Sequence, residues 1–359
     1  MHNIFLETHN INNLYTGFGQ FNLQLLKAIK DINDPELKFT AHTNLKTITE
    51  GKIDSFFNKK LYLGLRRYNF ARIRKRYDLW HSLNQNTKIE PYHNIPYVLT
   101  VHDVNFIEEI SSDMNHKVNV NFINKLNRAH AITYISEFAK ASTHKNFKVP
   151  KDIPEYIIHN GNPARDLLDL TNVSTPVDTS KPYLFGIGNF LKRKNFHLLV
   201  EMLEHLPDFN LVIAGDNTRN YANFVKERIE HLSLKNRVTL TGKISEKEKQ
   251  FYLKNCTAFV FPSSSEGFGL PIVEAMKFGV PILLANKSSL PEIGGEHAFY
   301  WNDLNPEKMA EKVIESLATY NNNKTFYQKH YIERANTFTW EKAAKQYISV
   351  YKTVIKNAK

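Results

Sequence analysis

Two carboxylates, Glu266 and Glu274, stand either side of a seven-residue spacer in a stretch (262–281) that reads PSSSEGFGLPIVEAMKFGVP. An ionised carboxylate only accepts hydrogen bonds, so such a pair suits a ligand rich in hydroxyls. Glu274 would fit a ribose diol and Glu266 the hydroxyls of a sugar. Between them lie Gly267, Phe268, Gly269 and Leu270, and glycines let backbone amides approach a ligand closely. The apolar run before this loop (258–261) predicts a buried strand. Pro271 predicts the first position of a helix, where a missing N–H costs nothing. That helix carries Ile272, Val273, Ala275, Met276 and Phe278 and stops at Gly279, with Pro281 beyond it. Strand, loop and helix start in this order offer free amides and the positive end of a helix dipole to an anion. Carboxylates beside an anion site match a ligand that bears phosphates and hydroxyls together. A bare Glu-x7-Glu is equally two solvated glutamates on an ordinary βα turn. The complete string carries the argument further than the spacing does.

EGFGLP followed by EAM and then G-x-P, with both glutamates in place, resembles the signature of the family 4 retaining glycosyltransferases of GT-B fold. The resemblance implies a nucleotide-diphosphate sugar as donor, gripped by Glu266 and the amides of Gly267, Phe268, Gly269 and Leu270, with Glu274 on the ribose. It extends to other strings. In GNFLKRKNFHLL, Gly188 and Lys194 match the family's glycine and lysine, while Asn189 stands where arginine is usual. Arg193 is the candidate for the displaced charge, and cations here would hold a diphosphate. In LTVHDVNF, His102 matches a family histidine beside the transferred sugar, and Asp103 is a weaker candidate for acceptor contact or simply a turn. NLYTGFGQF resembles the family's first glycine loop, placing Gly17 and Gly19 before a helix and near the donor phosphates. Ser136-Glu137-Phe138 and His159-Asn160-Gly161 read as caps and turns, and Glu292 in SSLPE as structural. The EGFGLP, SSLPE and Arg-Lys-Asn strings look most like bacterial surface-polysaccharide members, many of them mannosyltransferases. That implies GDP-mannose first and UDP-sugars second. The family implies no cofactor and no metal, and no metal-ligand motif is legible.

The elements that must position these residues alternate. Short β-type runs at 4–7, 39–42, 79–82, 97–101, 131–135 and 156–159 are interspersed with helical patterns at 20–29, 118–128 and 137–146. After a turn string at 160–163 and the polar piece DLLDLTNVSTPVDTSKP, alternation restarts at 183–187 and runs to 282–285. This predicts an α/β chain of two doubly wound, Rossmann-like parallel-sheet domains. The divisions expected are an acceptor-binding domain at 1–165, a linker at 166–181, a nucleotide-sugar domain at 182–339 and a last helix at 340–359. In the resembled GT-B fold the domains face each other across a cleft, and that last helix crosses back to the N-terminal domain.

With 359 residues the chain has room for two ordinary cores. No apolar run approaches the ~20 residues that span a bilayer. The start, MHNIFLETHN, lacks the basic and long apolar parts of a signal peptide, and a single cysteine forbids a disulfide framework. These point to the cytoplasm. The net charge of +11 is concentrated at 59–76 (KKLYLGLRRYNFARIRKR), which holds eight cations, no acid and interleaved apolar residues. Such a segment suits peripheral contact with an anionic membrane face. Nucleic acid is the less favoured partner, and a solvated helical face is the plain alternative. The reading is a transferase acting on a glycan or lipid-linked acceptor. The competing classes are a nucleotide-sugar epimerase of the same fold and a sugar-binding module without catalysis.

Overall fold

The computed structural model describes every residue except 165, 174, 176, 178–180 and 359. The chain forms two compact units, one of Met1–Gly161 with Thr339–Lys359 and one of Asn162–Phe338.

Unit 1 holds strands β1 (His2–Glu7), β2 (Leu37–Thr43), β3 (Asn58–Leu61), β4 (Leu79–Ser82), β5 (Tyr97–Val101), β6 (Ala131–Tyr134) and β7 (Glu155–Ile157). They pair in the order β3-β2-β1-β4-β5-β6-β7, every pair parallel. Helices α1 (Gly17–Ile32), α2 (Leu45–Thr49), α3 (Phe106–Glu109), α4 (Lys117–Arg128) and α5 (Glu137–Asn146) make the connections. Ser136 caps α5 by accepting from the Ala139 amide at 3.0 Å, the cap its position predicts.

Unit 2 alternates β8 (Tyr183–Ile187), α6 (Phe196–Met202), β9 (Asn210–Ala214), α7 (Asn220–His231), β10 (Val238–Gly242), α8 (Glu246–Asn255) and β11 (Ala258–Phe261). Then follow α9 (Leu270–Lys277), β12 (Ile282–Ala285), α10 (Leu290–Gly294), β13 (Phe299–Trp301), α11 (Pro306–Asn322) and α12 (Lys324–Thr337). Its parallel strands run β10-β9-β8-β11-β12-β13. Both orders reverse direction beside the first strand of the unit, and such reversals open a crevice at the carboxyl ends of the strands. The strands are apolar on both faces because helices cover both sides: Leu184, Phe185, Val212, Ile213, Phe259 and Val260 are all fully buried.

The final helix, α13 (Trp340–Asn357), belongs to unit 1 and packs along α1. Trp340, Tyr347 and Tyr351 on its apolar stripe are buried, and His81 in β4 bridges Tyr351 Oη (2.7 Å) and Thr100 Oγ1 (2.8 Å).

Several expectations are corrected. Gly17 and Gly19 are not in a loop before α1 but in its first turn, because Thr16 is the N-cap and accepts from the Gly19 amide at 3.1 Å. Gly19 is needed for closeness: a Cβ there would lie 2.0 Å from the Asn13 carbonyl oxygen, whereas one at Gly17 would meet nothing within 4 Å. Helix α9 starts at Leu270, so Pro271 is its second residue and Glu274 lies beyond the first turn. The 59–76 segment is no continuous helix. It is β3 followed by single 3-10 turns at Gly64–Arg67 and Asn69–Ala71. Strands β3 and β13 and helices α11 and α12 carry no sequence-level assignment above. The polar piece at 166–181 is tied to α8 where it is described: Leu168 donates to Gln250 Oε1 at 3.0 Å, and Thr175 Oγ1 lies 2.6 Å from Tyr252 Oη. Residues 174, 176 and 178–180 of it lie outside the described residues.

Candidate active site

The carboxyl ends of β8 and β11 are laced together, and the lacing sets the site. After β8 the chain turns through a 3-10 step at Lys192–Lys194, with Asn195 in the left-handed conformation at φ 52°. Asn195 Nδ2 donates to the Pro262 carbonyl at 3.0 Å, and the Ser264 amide donates to the Arg193 carbonyl at 2.8 Å. Glycine makes the approach possible. A Cβ on Gly215, after β9, would sit 1.8 Å from the Gly188 carbonyl oxygen, and one on Gly188 would press on Lys194 Cε at 3.3 Å. Lys194 is thereby buried, its ammonium 4.7 Å from the centroid of the Phe261 ring.

Glu266 gathers the polar groups of this corner. Its Oε1 takes hydrogen bonds from Lys194 Nζ, from Arg193 Nη1 at 3.1 Å and from Ser263 Oγ at 2.5 Å. Arg193 Nη1 also donates to the Ser265 carbonyl at 2.6 Å. Burial alone would raise the Glu266 carboxyl. The charges of Lys194 and Arg193, with bonds from Lys194 and Ser263, outweigh burial and hold it below the ordinary carboxylate value. Burial pulls Lys194 below the usual lysine value, and the Glu266 charge opposes that pull. One carboxylate and two cations leave an excess of positive charge next to the start of α9.

The start of α9 keeps backbone donors to spare. Gly269 is the N-cap at φ 100° and offers no side-chain cap. Among the described residues the amides of Gly269 and Leu270 donate to no protein group, as expected of the first N–H groups of a helix. The loop is held from behind: Ser289 Oγ donates to the Glu266 and Phe268 carbonyls at 3.0 Å each, and the Glu266 amide donates to Ser288 Oγ at 3.0 Å. Gly267 and Phe268 are buried in this loop.

Glu274 stands apart from the Glu266 network. It is buried and paired with Lys249 from α8, which also reaches Glu246 at 2.7 Å. Burial raises the Glu274 carboxyl above its usual value, against the opposing charge of Lys249. Sequence reading missed Lys249, whose only signal was a lysine on the helix preceding β11. It also missed Ser263 and the two supporting serines as partners of the loop. Asn189 is partly exposed, its carbonyl accepting from the Leu191 amide at 2.8 Å.

In unit 1, His102 follows β5 as expected and is buried. Its Nε2 is 2.8 Å from the Leu83 carbonyl, which can only accept, so the ring carries its proton on Nε2 and a lone pair on Nδ1. Phe18 and Phe21 meet the ring edge-on at 4.8 and 4.6 Å. Burial lowers its pKa to about 4, so the imidazole is neutral at pH 7. Asp103 accepts from the Asn105 amide at 3.1 Å, the turn-starting role weighed for it. Gly17, in the first turn of α1, joins none of the polar networks described. Among the described residues no His, Cys, Asp and Glu cluster could hold a metal ion, and no helix is long and apolar enough to cross a membrane.

Two parallel-sheet units, with a C-terminal helix returned to the first, make the GT-B fold. Residues 171–333 match the family model described as glycosyl transferases group 1. Among its relatives, O-antigen chain mannosyltransferase B of Escherichia coli is 24% identical over 390 residues, spanning 97% of this chain and 99% of the relative. Sucrose-phosphate synthase (tll1590) from Thermosynechococcus elongatus shares the fold with TM-score 0.77 at 18% identity, over 99% of this chain and 100% of that one. Anabaena Alr3699/HepE, solved in complex with UDP-glucose, does so with TM-score 0.72 at 16% identity, over 98% and 100%.

Proposed function

We propose that the protein transfers a hexose, with retention of anomeric configuration and without a metal, from a nucleotide-diphosphate sugar to a glycan or lipid-linked acceptor of a surface polysaccharide. The observation that carries this reading is the Glu266 corner: one partly buried carboxylate shared by Lys194 and Arg193, beside unpartnered amides at the start of α9. A diphosphate entering there meets two cations and two N–H donors, and the same groups stabilise the charge that develops as the sugar departs. Glu266 and the amides of Gly267 to Leu270 hold the sugar, and Glu274 takes the ribose. His102 accepts a sugar hydroxyl on Nδ1, and unit 1 takes the acceptor. Attack comes from the front side, with the leaving phosphate removing the acceptor proton. GDP-mannose is the first donor to try, in keeping with the mannosyltransferase relative. UDP-sugars are second, in keeping with the UDP-glucose seen in a protein of the same fold. The cationic turns at 59–76 rest on an anionic membrane face.

The test is incubation of the full chain with GDP-mannose or UDP-glucose and membrane-extracted or synthetic glycan acceptors, with NMR of the product. An axial donor bond reappearing in the product supports the reading. Donor epimerised without any acceptor, or inversion at the anomeric carbon, contradicts it.

A further inference from the structure

The carboxyl ends of β1, β2 and β3 in unit 1 carry a cluster that donor binding in unit 2 leaves unused. Glu7 closes β1 and is fully buried. Its Oε1 lies 2.6 Å from His9 Nδ1 and 3.2 Å from His42 Nδ1. A carboxylate only accepts, so both rings present Nδ1–H to it. His42 is fully buried, and its Nε2, like Glu7 Oε2, has no partner. His9 differs, because its side chain is 23% exposed. One face of its ring lies flat on Tyr62, just past β3, with centroids 4.7 Å and planes 16° apart. With Nδ1 turned to the buried carboxylate and a face covered, the exposure falls on the edge that bears Nε2.

Donors without acceptors belong to the same cluster: Arg66 acts by its charge on His42, which shares Glu7 Oε1 with His9. Asn10 Nδ2, on the residue after His9, and Arg66 Nη1 are buried and unpartnered. Lys60, Arg66 and Lys75 have no carboxylate within ion-pair distance among the described residues. They are close enough that, after burial, the charges of Arg66 and Lys75 lower the basicity of Lys60. Unneutralised cations and orphaned donors are costly unless something anionic completes them.

We propose that His9 Nε2, Asn10 and Arg66 form an anion subsite in unit 1 that takes a phosphate ester carried by the acceptor. This rests on the reading of unit 1 as the acceptor-binding half. The proton needed for it sits on His9. Burial opposes protonation, yet the bond to Glu7 and its charge outweigh burial and the nearby Lys125, so the His9 pKa is raised. His42 goes the other way, with burial lowering it first and Arg66 and His9 adding to that. The groups facing His9 are Glu7 from β1, which His42 from β2 shares, Tyr62 beyond β3, and Lys125 from α4, while Arg66 acts on the neighbouring His42. Only His9 among them changes charge near neutrality in the direction that matters. Anion binding is full below its ordinary value and falls as pH rises through the raised one.

The experiment uses the full chain labelled with 13C-histidine and two probes, farnesyl phosphate and inorganic phosphate, titrated at pH 6.5 and 8.5. The expected result is a saturable shift of the His9 resonance, with binding at least five-fold weaker at pH 8.5. His9→Gln and Arg66→Ala should each lose about ten-fold, and His9→Lys should restore binding and remove its pH dependence. Response to both probes supports the anion subsite with no lipid contribution. Response to farnesyl phosphate alone supports it with the apolar chain contributing. No response to either probe at millimolar concentration overturns the proposal. So does binding that is indifferent to His9→Gln, provided the variant's circular-dichroism melt matches the parent. Binding of the nucleotide-sugar donor should be unchanged in His9→Gln. Its absence in the parent chain would instead count against the proposed function.

Discussion

Glu266 keeps its charge because three donors converge on one oxygen, and the consequences are measurable at that residue. On the proposed function Glu266→Ala removes a sugar contact and frees both cations, so turnover should fall ~100-fold or more, the size typical for one preorganised group. The sign of its pH linkage follows from the lowered pKa. Its ionised form stabilises the folded chain above the ordinary carboxylate value, and that stability is lost as pH falls through the lowered one. Melting curves of Glu266→Gln and the parent should therefore differ most near neutrality and converge in acid. A constant gap across pH would mean the carboxylate is not ionised. The second glutamate behaves differently because its cation, Lys249, is itself shared with Glu246. Lys249→Met strands a buried carboxylate and should cost about 3 kcal/mol in chemical denaturation. Glu274→Ala leaves Lys249 its exposed partner and should cost less, while weakening nucleotide-sugar binding measured by calorimetry.

At the scale of elements, α9 and the strand ends around it were legible because their residues are locally constrained. Pro271, Gly279 and the apolar run 258–261 specify a strand, a loop and a helix by backbone rules alone, and the structure puts them there. Lys194 and Gly188 were legible only through resemblance. Their physical link is a side chain lying where a Cβ would be, which no spacing reveals. Lys249 and Ser263 were invisible, since a lysine on a polar helix and a serine in a polar loop look like solvent-facing residues until tertiary packing buries them. The first glycine loop misled because Thr16, as an N-cap, pulls Gly17 and Gly19 into the helix. Gly215→Ala, with 1.8 Å between its new Cβ and the Gly188 carbonyl, must push the β8 and β9 loops apart. Donor affinity should drop at least ten-fold, while the strands keep their far-ultraviolet signal. In unit 1, α13 is anchored by His81, whose pKa burial lowers to about 3, with nearby His102 adding to it. A lowered histidine contributes its full stability above its unfolded value near 6.5 and loses it as pH falls. Going from pH 6.5 to 5.0 should cost about 2 kcal/mol through His81 alone. The His81→Asn variant should show a flatter acid limb in denaturant titrations.

For the whole molecule, the proposed function divides the chemistry between the two units by charge and by partner. Unit 2 offers an anion-receptive helix start with two carboxylates for hydroxyls. Unit 1 offers a neutral His102 and a cationic cluster beyond β3. A ligand that binds only the folded chain raises its apparent stability by mass action. GDP-mannose or a UDP-sugar at 100 times its dissociation constant should therefore add about 2.7 kcal/mol, and Glu266→Ala with Glu274→Ala should abolish that gain. The most direct measurement is a crystal structure of the full chain soaked with the donor that gives the larger shift. The account requires the diphosphate within hydrogen-bond distance of Lys194 and the Gly269 and Leu270 amides, the ribose on Glu274 and the sugar on Glu266. A nucleotide lodged on another surface, with Glu266 still closed on Lys194 and Arg193 and no sugar near it, would contradict it.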